Sequence, residues 1–196
     1  MVGSKTTAKQ DYRDWHLPLC HDNLTVAEAR LHLAEVGATA GEIPLMVQLV
    51  ENPKYRIPGL DLFHGCVTLS QHDAIHILPG RGLLNKDEAF TIGFTMGSTR
   101  KVTSLEEDLF AKIATTLYPD YQFNTDDIAI FRDAVRLAYV SGCQSLDQAY
   151  FTAFEACSLA EVRHQFGIDK TLLLAYYCLE KQRYPSCSAS KRLLDR

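Results

Sequence analysis

The sequence predicts an all-α fold, a single compact multi-helix domain of about eight or nine helices. Three observations lead there. Helix-start signals of the form Ser/Thr-x-x-Glu recur along the chain, each followed by a glycine or proline breaker. Apolar residues after those starts repeat with the period of an amphipathic helix. Strand-like alternation bounded by hairpin turns is nearly absent.

In chain order, residues 1–22 read as an N-terminal arm, small and polar over Met1 to Gln10. That stretch has neither the apolar core of a signal peptide nor the Arg-rich amphipathic pattern of a transit peptide. Residues 23–185 read as the helical domain. Thr25-x-x-Glu28 opens an apolar-periodic stretch through Val26, Ala27, Leu31 and Ala34 that stops at Gly37. Pro53 to Pro58 is an irregular connection. Asp61 to Leu78 reads as one helix, broken by Pro79-Gly80-Arg81-Gly82, and Asn85-Lys86-Asp87-Glu88 opens the next. That next helix carries Phe90, Ile92, Phe94 and Met96, with Gly93 and Gly97 one turn apart. Such glycines let another helix or a ligand tail approach the backbone, and tight helix packing is the preferred reading of the two.

Ser104-x-x-Glu107 precedes Leu105, Leu109, Ile113 and Leu117, and Pro119 stops that helix. Asn124 to Tyr139 is amphipathic through Ile128, Phe131, Val135 and Ala138. Ser158-x-x-Glu161 opens a short helix closed by Gly167, and Asp169 caps a last one running to about Gln182 before Pro185. The tail, 186–196, is polar, ends in Lys191, Arg192 and Arg196, and is expected to fray.

At 196 residues, 46% hydrophobic and 22% charged, the chain has the make-up of one soluble domain with a substantial core. A net charge of −4 without a basic, aromatic-interleaved stripe excludes general attraction to nucleic acid. No run approaches the eighteen or so apolar residues that span a bilayer. A cytoplasmic protein is expected, with peripheral contact at the inner face of a membrane left open. Six cysteines, at 20, 66, 143, 157, 178 and 187, form no Cys-x-x-Cys pair. Cys143, Cys157 and Cys178 lie in apolar, helical surroundings and are expected to be reduced core residues. His16, Cys20, His21 and Asp22 form a cluster of metal-ligating types, but their Leu-Pro-Leu setting offers no regular scaffold.

The most informative segment is His72-Asp73-Ala74-Ile75-His76, followed after eleven residues by Glu88. On a helix, His72 and His76 share a face, and Asp73 stands about 60° from His76 at 3.6 residues per turn. The helix break that follows lets Glu88 swing back, so all four side chains are expected to converge. Two imidazoles and two carboxylates suit a divalent metal ion: Zn, Fe, Co or Mn. The surroundings (Leu69, Ile75, Ile77, Leu78) are apolar, and charges buried there need partners or a metal. A plainer reading stays open. Either histidine can be a hydrogen-bonded interior residue, and Asn85-x-x-Glu88 also fits a capping box in which Glu88 serves only the backbone.

The spacing His-Asp-x-x-His, eleven residues, Glu resembles the signature of the Coq-four family of ubiquinone (coenzyme Q) biosynthesis proteins. The stretch Leu159-Ala160-Glu161-Val162-Arg163-His164-Gln165-Phe166-Gly167-Ile168 is similar to that family's closing Leu-Arg-x-x-Leu-Gly-Ile, with Val162 and Phe166 departing from it. The resemblance runs from about residue 40 to 170. It implies a mostly helical protein with a divalent metal on His72, Asp73, His76 and Glu88. It also implies oxidative decarboxylation of a quinone precursor's ring, affinity for prenylated aromatic or prenyl-lipid ligands, and partnership with other quinone-biosynthesis proteins. A homo-oligomer is expected as well.

A hydroxybenzoate-like substrate carries a carboxylate, so a nearby cation would help to hold it. Arg81 is the nearest candidate in sequence and Arg100 the next, with Lys101 beside it; solvated surface charge is their plainer reading. His64, two turns before His72 if the helix is continuous, is either a partner to a metal ligand or exposed to solvent. Three functions of different classes follow: a metal-dependent enzyme acting on a prenylated aromatic; a non-catalytic prenyl-lipid scaffold, suggested by the Phe- and Met-rich helix; and, more weakly, an HD-type phosphohydrolase using His32 and Asp133 as further metal ligands.

Overall fold

The computed structural model describes residues 12–36, 63–116 and 122–195. Among them eight α-helices run in chain order: α1 (Val26–Val36), α2 (Leu69–Ile77), α3 (Asn85–Ser98), α4 (Ser104–Thr116), α5 (Thr125–Ser141), α6 (Leu159–Phe166), α7 (Lys170–Arg183) and α8 (Ser188–Arg192). Strand pairing among the described residues is confined to two isolated bridges, His16 with Gly82 and Thr25 with Ser158. The all-α expectation holds. Gly37, Pro53 to Pro58, Leu117 and Pro119 lie outside the described residues.

The starts of these helices are set locally. Thr25 and Glu28 bond reciprocally, Oγ1 accepting from the Glu28 amide and Glu28 Oε2 from the Thr25 amide at 2.8 Å. Ser158 with Glu161 and Asn124 with Asp127 do the same, and Asp169 accepts from the amides of Thr171 and Leu172. At α4 the expected pair is displaced by one residue. Thr103 and Glu106 make the reciprocal cap, which turns Glu107 inward to within 3.8 Å of Arg136. Phe110 and Ala114 bury the inner face of α4, while Leu105 is exposed; on α1, Leu31 is exposed likewise.

Helix α3 organises the rest. Every residue from Lys86 to Ser98 is buried, so α3 is a central helix rather than an amphipathic one. Phe90 and Phe94 face one apolar core, with Ile75, Leu78 and Tyr177. Ala89, Ile92 and Met96 face a second, with Phe110, Phe123 and Phe131. Each buried Phe, Ile, Leu or Met side chain among them contributes about 1.5–3 kcal/mol by leaving water. A Cβ on Gly93 would collide with the carbonyl oxygen of Phe131, and one on Gly97 with that of Val135. These two glycines let α3 and α5 lie backbone to backbone, and the Phe- and Met-rich face is filled by the protein itself.

Three expectations are corrected. The motif helix begins at Leu69, capped by Thr68, rather than at Asp61; Asp61 itself lies outside the described residues, and 63–68 are not helical. The tail does not fray: residues 188–192 are helical, Ala189 and Ser190 are buried, and Arg192 pairs with Asp87 at 2.5 Å. In the described part of the arm, Trp15, Leu17 and Leu19 join the first core. All six cysteines are free, but of the three assigned to the core Cys143 is buried, Cys157 half-buried and Cys178 exposed.

Candidate metal centre

The centre lies between α2 and α3. Thr68 and Gln71 cap α2 reciprocally, and the Gln71 amide also donates to the carbonyls of Asp147 and Ala149. This fixes the rotation of α2 and with it the face that carries His72 and His76. The chain turns at Gly80, whose φ of 70° is left-handed and whose hydrogen faces the Leu19 backbone, where a Cβ would clash. It then enters α3 at Asn85. Asp87, not Glu88, supplies the cap, its Oδ2 accepting from the Leu84 amide at 3.1 Å. Glu88 is one position further on, turned towards α2 and free of any capping duty.

His72 and His76 stand edge to face, with ring centroids 4.5 Å apart and Nε2 atoms 2.8 Å apart. Glu88 Oε2 lies 3.0 Å from His72 Nε2 and 3.3 Å from His76 Nε2. All three residues are buried, His76 completely. Burial works against the Glu88 carboxylate, yet the charge of His76 and hydrogen bonds from both imidazoles hold its pKa far below the usual range. Among the described residues these three form the one group of His, Cys, Asp or Glu donors able to close on a single ion.

Donors bonded to one cation at about 2.1 Å lie about 3.0 Å apart when at right angles and about 3.4 Å apart in a tetrahedron. The observed separations, 2.8, 3.0 and 3.3 Å, bracket the first value. Two imidazole nitrogens and one carboxylate oxygen on one side of an ion are a recognised ligand set, and the residues fit it. Protons shared among the three groups would satisfy the same distances.

The fourth expected ligand is elsewhere. Asp73 is half-buried and within electrostatic reach of His72, His76, Glu88 and Arg30, and burial raises its pKa, but its carboxylate is outside the group of three donors. Helix geometry explains this, since Asp73 is offset about 100° from His72.

Neither arginine assigned to substrate faces the centre. Arg81 is fully buried, bonded through both terminal nitrogens to Glu180 at 3.1 and 2.6 Å and stacked between the rings of Phe90 and Tyr177. Its charge is used inside the protein. Arg100 is exposed beyond the far end of α3, an end that is itself about 15 Å from Glu88 at 1.5 Å per helical residue. There, with φ of 57°, it lines a surface depression with Val102, Glu107 and Arg136. His64 is also distant: its Nδ1 pairs with Glu106 at 2.7 Å, and the next residue, Gly65, packs on Met96.

The other proposed ligands have different partners. His16 bonds the Gly80 carbonyl at 3.2 Å, Asp22 pairs with Arg163 and Lys170, His32 is exposed, and Asp133 pairs with Arg183.

Sequence reasoning overlooked a polar stripe on α3. Glu88, Thr91, Thr95 and Ser98 are all buried and follow one another at helical spacing. Thr91 Oγ1 lies 3.1 Å from His76 Nδ1, Thr95 donates to the Thr91 carbonyl, Ser98 donates to the Thr95 carbonyl, and Ser98 accepts from the Leu146 amide. The signal was present, as polar residues three and four apart in an otherwise apolar helix. No family model, curated protein or solved structure matches the chain, so the assignment of this centre rests on its own chemistry.

Proposed function

We propose that the chain is a divalent-metal protein whose ion is held by His72, His76 and Glu88. The observation that carries this is the meeting of three buried donors from two helices, with separations that suit one ion. Burying an anionic carboxylate is costly unless a cation or donors compensate it. A bound divalent ion supplies a Lewis acid and, when only three protein donors hold it, positions for an exogenous ligand. Glu88 brings the negative charge, the two imidazoles bring neutral nitrogen donors, and the packing of α2 on α3 keeps bulk water away.

The substrate class follows from the resemblance of the His72–Glu88 spacing to the Coq-four family: a prenylated hydroxybenzoate or a related quinone precursor, undergoing oxidative decarboxylation with dioxygen as the oxidant, the ring–carboxyl bond breaking to release carbon dioxide and a ring hydroxyl forming in its place. The site contributes to this reading through its buried setting beside the apolar core that holds Ile75, Leu78 and Phe90. The test is elemental mass spectrometry of purified, untagged chain before and after reconstitution, with His76→Ala alongside. One metal per chain, lost in the variant, is the expected result. Absence of metal from reconstituted wild type would sink the reading. Loaded protein would then be given a prenylated hydroxybenzoate, and the release of carbon dioxide would decide the substrate.

A further inference from the structure

The hydroxyl that touches the back of His76 has a specific consequence for the centre, one that rests on the metal reading above. A neutral imidazole carries a single hydrogen. For His76 to offer Nε2 to an ion, that hydrogen must be on Nδ1. His76 Nε2 faces the Nε2 of His72 and the Oε2 of Glu88, while its Nδ1 faces Thr91 Oγ1 at 3.1 Å. Both His76 and Thr91 are completely buried, so water cannot substitute for this contact.

We propose that Thr91 is a positioning residue of the centre, its hydroxyl oxygen accepting the Nδ1 hydrogen of His76 so that the Nε2 lone pair is presented towards His72 and Glu88. The placement is economical. Thr91 follows Glu88 by three residues on the same helix, so the register of α3 sets both the carboxylate ligand and the partner of a histidine on the opposing helix. The Thr91 backbone is itself tied to the next turn, where Thr95 Oγ1 donates to its carbonyl at 2.8 Å. Partners of this kind fix the tautomer and ring orientation of a ligating histidine, and their loss commonly weakens metal binding 10–100-fold.

The experiment compares Zn(II) affinity, by competition with a chromophoric chelator, for wild type, Thr91→Val, Thr91→Ser and Thr95→Val. Thr91→Val keeps volume and removes the acceptor, Thr91→Ser keeps the hydroxyl, and Thr95→Val removes a hydroxyl one turn further from the ligands. We expect Thr91→Val to lose about 10–100-fold, with Thr91→Ser and Thr95→Val within about threefold of wild type. Imidazole nitrogen–proton correlation spectra of the Zn(II)-loaded wild type should show His76 protonated on Nδ1. Unchanged affinity in Thr91→Val or an equal loss in Thr95→Val would each overturn the assignment of Thr91 while leaving the metal reading intact; a His76 proton found on Nε2 would overturn the assignment and also remove His76 Nε2 from the donor set. Failure of wild type to bind Zn(II) at all would overturn the metal reading and this assignment together.

Discussion

Arg163 Nε donates to the carbonyl oxygen of Leu78 at 2.7 Å, joining α6 to the last turn of the helix that carries both histidines. The same guanidinium reaches the Leu19 carbonyl and Asp22. The end of α2 and the short helix α6 thus meet in space. Replacing Arg163 by Ala should leave two buried carbonyls without this donor. At roughly 1–3 kcal/mol for each orphaned group, a loss of about 3 kcal/mol is expected in urea unfolding. A change below about 1 kcal/mol would show that water reaches those carbonyls.

Glu88→Gln keeps the shape of the side chain and removes its charge. Binding of Zn(II) should fall by at least about 100-fold, since a neutral amide is a poor substitute for a carboxylate donor. Circular dichroism should show the helices intact, because Asp87 rather than Glu88 caps α3. Collapse of the helical signal in this variant would contradict that division of labour.

Gly93→Ala and Gly97→Ala place a methyl group against carbonyl oxygens of α5. Each should cost about 1–3 kcal/mol by forcing the two helices apart, read as a lower midpoint in chemical denaturation. Unaltered stability would mean that α3 and α5 do not pack as closely as described.

His16 provides a pH prediction. Burial lowers its pKa from 6.5 to about 4, and Arg192 and Arg81 add to this, while Asp87 and the bond to the Gly80 carbonyl oppose it. The unfolded chain therefore takes up a proton near pH 6.5 that the folded chain resists down to about pH 4. Stability is fully present above pH 6.5 and declines as pH falls through that window. The decline attributable to His16 is at most about 3 kcal/mol. His16→Gln should flatten the acid limb of stability between those values, and an identical limb in the variant would refute the assignment.

Much of this fold was legible because its signals are local. Thr25 with Glu28 and Ser158 with Glu161 cap as their spacing says, since the cap depends on residues within four of each other. Where two frames compete, spacing alone does not choose. Thr103-x-x-Glu106 and Ser104-x-x-Glu107 both fit, and the selection is made by Arg136 and His64, which lie far off in sequence. The same applies to the site. His72, His76 and Glu88 could be read because two of them share a helix turn and all three have the right chemistry. Arg81 could not, because its partner Glu180 is 99 residues away and its aromatic neighbours are divided between two helices. Asp73 was misjudged by treating a 60° offset as small, when donors must meet within a few ångströms.

The pairing of Arg192 with Asp87, beside the buried Arg81–Glu180 pair, bears on the order in which the molecule is made. Asp87 and Arg81 are completed early in synthesis, but their partners, at 192 and 180, emerge close to a hundred residues later. Until then the first turn of α3 carries a carboxylate, and the connection before it a guanidinium, that cannot be desolvated in the pairs seen here. The two ion pairs beside the His72–His76–Glu88 group can therefore form only once residues 180–192 have been made, so the surroundings of that group are completed by the last part of the chain.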